Sequence, residues 1–80
     1  RAAFTIPHPY VKITVFHWNE KYLVEMEAST FKQTYKLPSD DFPGEESIRK
    51  FFNDDFMESV MNTFEHMHKT FHARHKSIQV

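Results

Sequence analysis

The chain has no cysteine and a single glycine in 80 residues. The first absence excludes disulfides, thiolate zinc sites and thiol catalysis. The second excludes the glycine-rich loops that cradle phosphates and dinucleotides. No apolar run approaches the roughly 20 residues that a membrane-spanning helix needs, and no secretory h-region is visible, so the expectation is a cytoplasmic protein without a membrane partner. Net charge is −1, which gives no global electrostatic drive toward nucleic acid. Nothing in the composition calls for a cofactor.

What is abundant is aromatic: nine Phe, three Tyr and one Trp. A chain this short buries only about 60–65% of its unfolded surface, so its margin of stability is thin. With disulfides excluded, dense aromatic packing or self-association has to supply the remainder.

Charge is unevenly spread. Between Ser39 and Glu58 stand seven acids (Asp40, Asp41, Glu45, Glu46, Asp54, Asp55 and Glu58) against Arg49 and Lys50; from His66 to Val80 there is no acid, but Lys69, Arg74, Lys76 and four histidines. Acids at helix N-termini and bases at a C-terminus are what the helix macrodipole favours.

Tyr10 to Trp18, Glu20 to Ala28 and Phe31 to Leu37 are β-branched and aromatic segments separated by short polar breaks, which predicts three strands. Two-residue turns at Asn19-Glu20 and Ser29-Thr30 set one register for both hairpins. It pairs Val15 with Val24, Ile13 with Met26, Val11 with Ala28, Val24 with Tyr35 and Tyr22 with Leu37 on one face, apolar except for His17 and Gln33. On the other face Lys12, Glu27 and Lys32 form a ladder of alternating sign, beside Thr14, Glu25 and Thr34. A slip of one residue destroys both patterns together. Lys12, Lys32 and Lys36 are charges of the kind that blunt strand edges.

Pro38 ends the last strand. Ser47 to Phe52 reads as a short helix, and a cap at Asn53 or Asp54 opens a long one. Phe56, Val60, Phe64, Met67, Phe71 and Ile78 continue one apolar period along it, flanked by Met57 and Met61. That stripe is expected to cover the apolar sheet face. The fold class is therefore α+β: a three-stranded antiparallel meander, then one short and one long helix packed on one sheet face. Residues 1–9 are an extended arm, 10–37 the meander and 44–77 the helical segment of one domain.

Two groups of residues are candidates for function. In the predicted register Phe16 faces Leu23 on the outer sheet face; with Tyr10 and Trp18 they form an apolar patch. Either the arm covers it through Phe4 and Ile6, or it is a partner or homodimer interface, since aromatics rimmed by charge are typical of binding surfaces. On the long helix, Glu65, His68, His72 and His75 make one column. Imidazoles at i and i+4 can share a divalent metal, and histidine gains charge between about pH 5 and 7. Helix surfaces often carry such spacings, and here no HExxH pattern accompanies them.

Ser47-Ile48-Arg49-Lys50 matches an S-x-x-K pattern without its companion motifs, and reads as surface helix. A sheet that bound DNA would offer Glu25 and Glu27 to phosphates, which disfavours a nucleic-acid partner. The expectation is a non-enzymatic protein-interaction or homodimerisation module, with a metal- or pH-responsive module built on the histidine column as the alternative.

Overall fold

Two hairpins in the register read from the pattern of alternation build most of the sheet. In the computed structural model, which describes residues 3–79, β2 (Lys12–Trp18), β3 (Lys21–Ala28) and β4 (Phe31–Pro38) form an antiparallel meander. Val15 faces Val24, Ile13 faces Met26 and Phe16 faces Leu23. Across the second hairpin Tyr22 faces Leu37, Val24 faces Tyr35 and Glu27 faces Lys32. Both turns are the two-residue kind. Asn19 and Glu20 take φ 51° and 60°, and Ser29 takes 58°. Positive φ at both central residues of the first turn matches the right-handed twist of the strands, at a steric cost for a side-chain-bearing residue; in the second turn only Ser29 takes it.

The sheet has four strands rather than three. Ala3–Ile6 is β1, an edge strand antiparallel to β2, with Phe4 opposite Val15 and Ile6 opposite Ile13. The expected arm is thus partly a strand, and its Phe4 and Ile6 point to the helical side. They do not fold over the outer patch. The alternation Ala-Phe-Thr-Ile suffices for this because the first hairpin offers β2 as a free edge. Arg49 holds the strand from the other side: its guanidinium lies 5.1 Å from the centre of the Phe4 ring and its Nη1 donates to the Thr5 carbonyl at 3.5 Å. The Arg1 and Ala2 end of the arm lies outside the described residues.

After β4 a short 3-10 turn, Ser39–Asp41, leads to α1 (Glu45–Phe51) and α2 (Asp54–Ser77). Ser39 is tied down twice, its N–H and hydroxyl both donating to the Glu20 carbonyl. Gly44 opens α1 at φ 85°, ψ 163°, a conformation that side chains resist. Glu45 and Glu46 occupy the positive end of α1, and Arg49 reaches back to Glu45 one turn earlier. Asn53 caps α2, its Oδ1 accepting from the Phe56 N–H at 2.8 Å.

The core is the inner sheet face and what the two helices lay on it. Ile13, Val15, Val24, Met26, Ile48 and Val60 are essentially sealed from solvent. Around them Phe51 makes edge or tilted contacts with Phe42, Phe52 and Phe56, and Phe56 meets Tyr35 edge-on. This is the dense aromatic packing that a chain without disulfides needs, each such pair adding about 0.5–1.5 kcal/mol beyond area burial. The two polar residues of this face are accommodated differently. His17 lies at the rim, stacked on Tyr22 with centroids 4.4 Å apart. Gln33 is buried, and its Nε2 donates to the Val60 carbonyl at 3.0 Å.

α2 follows β4, with Phe56 at Tyr35, Val60 at Gln33, and Phe71 at Phe31. Its 24 residues span about 36 Å, whereas an eight-residue strand is about 26 Å long. The helix therefore runs out of sheet. Only Met57, Val60 and Phe64 are buried along it, and Phe71 and Ile78, expected on the sheet, are each 57% exposed. The molecule is correspondingly elongated, 51 × 26 × 18 Å.

Candidate interaction surface

No helix among the described residues lies on the outer sheet face, since the core against which α1 and α2 pack is the inner face. Phe16 and Leu23 sit directly opposite each other there and are half-buried. Trp18 stands beside them at the turn end of the hairpin and is 59% exposed. Ala3 of β1, opposite Phe16, closes one side. Together with Glu25 these residues line a shallow cleft of about 490 Å³. On its other flank Trp18 walls a smaller notch of about 120 Å³ with Asn19, Leu23 and the ammonium-bearing Lys21 and Lys36. One indole thus separates two apolar depressions, the second with two cations at its rim.

Tyr10 does not belong to this patch. It is 74% exposed in the connection between β1 and β2, its N–H donating to His8 Nδ1 at 3.2 Å. The whole of β2, about 20 Å from Lys12 to Trp18, lies between it and Trp18. It lines a different cleft, on the helical side, with Ile6, Phe52 and Met57. The grouping fails because strand β2 begins only at Lys12, after the bend that Pro7 and Pro9 impose.

Further along the outer face the charge ladder is present in part. The Lys32 ammonium lies between Glu25 at 3.6 Å and Glu27 at 3.8 Å. Lys12 faces Glu27 across the strands, but no ion pair within 4.0 Å involves it among the described residues. These pairs are exposed and contribute little stability, about 0–1 kcal/mol each. Their effect is to place both signs of charge beside the apolar patch.

The helical column is exposed over its whole length. His68 and His72 stack in parallel with centroids 5.8 Å apart, and His68 also meets Phe31 edge-on. His75 stacks on Phe71, and Glu65 is paired with Lys69 at 3.5 Å. Among the described residues no group of three or more His, Asp or Glu side chains is gathered so as to hold a metal ion. One straight helix face presents its imidazoles side by side, and ligands that converge on a single ion must come from more than one direction.

The S-x-x-K residues lie on α1, where the Ser47 hydroxyl donates to the Gly44 carbonyl at 2.9 Å as part of the helix start. No helix among the described residues is long and apolar enough to cross a membrane. Sequence reasoning missed the lysines at the notch. Lys21 and Lys36 are fifteen residues apart and become neighbours only because Leu23 faces Lys36 across β3 and β4. Comparison with known protein families, with curated proteins and with solved structures found no match to this chain.

Proposed function

We propose that the chain is a small, non-enzymatic protein-interaction module that binds its partner with the outer sheet face at Phe16, Trp18 and Leu23. One observation carries the reading. The face on which these residues lie is left open by both helices, and β1 turns Phe4 and Ile6 the other way. An indole held 59% exposed between two apolar depressions is the type of anchor on which binding energy concentrates. Lys21 and Lys36 at the rim select for carboxylates. The partner is therefore a protein segment that combines a large apolar side chain with adjacent acids. A cytoplasmic setting belongs to the same proposal, and cell fractionation checks it.

Selection of a displayed random-peptide library against the purified domain tests the reading. Enriched peptides should pair an aromatic or branched apolar residue with Asp or Glu. Binding should fall about 100-fold with Trp18→Ala and about tenfold with Lys21→Glu. Peptides that bind the Trp18→Ala protein equally well would show that the outer face is not the binding surface.

A further inference from the structure

α2 carries a second feature, independent of the outer face. Every described residue from His68 to Gln79 is exposed; Phe71 meets Phe31 edge-on at the very end of the sheet, and Ile78 lies two helical turns further on. One stripe of side chains runs the length of this helix in alternating steps of four and three residues, the spacing of a coiled-coil seam. Its first half is Asp54, Glu58, Met61 and Glu65; its second half is His68, His72, His75 and Gln79. The seam borders open space on the helical side of the sheet. Asp54, Glu58 and Met61 line a cleft of about 560 Å³ that also reaches Ile6, Tyr10 and Phe52. Met61, Glu65 and His68 line another of about 380 Å³ with Ala28 and Phe31.

We propose that this lane is filled by α2 of a second copy of the chain, running antiparallel, with the two-fold axis between Glu65 and His68. The seam is complementary to itself only in that direction. Reversed about that axis, Glu65 meets His68, Glu58 meets His75, Met61 meets His72 and Asp54 meets Gln79, each twice. An isologous interface requires self-complementarity of this kind. A parallel pair instead sets carboxylate against carboxylate and imidazole against imidazole. The same reversal brings the bases of the helix end, Lys69, Arg74 and Lys76, toward the acids of its start, Asp54, Asp55 and Glu58, and no ion pair within 4.0 Å involves these three acids among the described residues. It also lays the overhanging Phe71 and Ile78 of one copy beside the apolar cleft at Ile6, Phe52 and Met57 of the other. Each copy thereby covers what the other leaves bare.

The dimer tightens as pH falls. Around the histidines of one copy the charged groups are Lys69, held by Glu65, with Arg74 and Lys76 beside His75. The turn that faces His68 contributes Ala28, Ser29 and Phe31 and no charge. His68 and His72 lie one helical turn apart, their rings stacked with centroids 5.8 Å apart. Opposite Glu65 and Glu58 of a partner, positive charge on His68 and His75 is favourable. Four part-exposed ion pairs amount to about a tenfold tighter dissociation constant at pH 5.5 than at pH 7.5.

This inference rests on the reading of the chain as an association module but uses a different surface, so the two fail separately. Sedimentation velocity from about 5 to about 300 µM, at both pH values, is the measurement. The expected result is a monomer–dimer equilibrium that tightens at the lower pH and is unaffected by Trp18→Ala. Glu58→Lys and His75→Glu each weaken it about tenfold, and the double exchange restores it to within about threefold. All these positions are exposed, so the fold tolerates the changes. A monomer throughout, a double exchange no tighter than either single one, or a dimer lost on Trp18→Ala overturns the proposal.

Discussion

Replacing Gln33 with glutamate changes one amide to a carboxyl and tests how α2 is joined to the sheet. Gln33 is 8% exposed, and its Nε2 donates to the Val60 carbonyl at 3.0 Å. Val60 lies inside α2, where its carbonyl also accepts the intrahelical bond. An ionised carboxylate at this place has no proton to donate and faces a carbonyl oxygen, so it is desolvated and repelled together. Burial and loss of the hydrogen bond both favour its neutral form, which can again donate to Val60. The introduced group therefore has a folded-state pKa raised above the unfolded value of about 4.3, by roughly two to three units for a site this buried. Between those two values the native state binds the extra proton, so stability falls as pH rises. Gln33→Glu should cost about 3–4 kcal/mol relative to the parent at pH 7.5 and only about 1 kcal/mol at pH 4.5. Gln33→Met, of similar volume, should stay within about 1 kcal/mol of the parent at both pH values, because Val60 keeps its helical donor. Urea denaturation followed by circular dichroism, with the parent measured at each pH, reads these differences. A cost for Gln33→Glu below about 1 kcal/mol at pH 7.5, or one equal at the two pH values, would refute the placement of Gln33 under α2.

Three further outcomes follow from the same packing. Glu20→Gly should stabilise by about 0.5–1 kcal/mol, because φ 60° strains a side-chain-bearing residue and the carbonyl that Ser39 uses remains; a thermal melt raised by several degrees is the readout. Ile48→Ala removes the one fully buried side chain of α1 and should cost about 2–4 kcal/mol in urea denaturation, whereas an unchanged midpoint would mean that α1 is not docked. Phe64→Ala should cost about 3–5 kcal/mol and Phe71→Ala less than about 1 kcal/mol, since the first is 6% and the second 57% exposed; equal costs would contradict the overhang.

The sequence by itself determined the meander. Alternation has a period of two, and both turns have two residues. Only one register keeps Val15, Val24 and Ile13 on one face and Lys32 between Glu25 and Glu27 on the other. The cap that opens α2 was legible to within one residue, Asn53 or Asp54, because its chemistry is local; the structure assigns it to Asn53. The tertiary structure alone decided the rest. Four residues, Ala3–Ile6, are too few to announce a strand and become one only because β2 offers an edge and Arg49 a roof over Phe4. That pairing sends Phe4 and Ile6 inward and leaves Trp18 bare, so a choice invisible in the alternation settles which face of the sheet stays open. The apolar period of α2 likewise runs on to Ile78 as though sheet lay beneath it, yet burial depends on where the strands stop. Periodicity records which side of a helix is apolar; only packing of one finite element against another determines how far along the helix that side is covered.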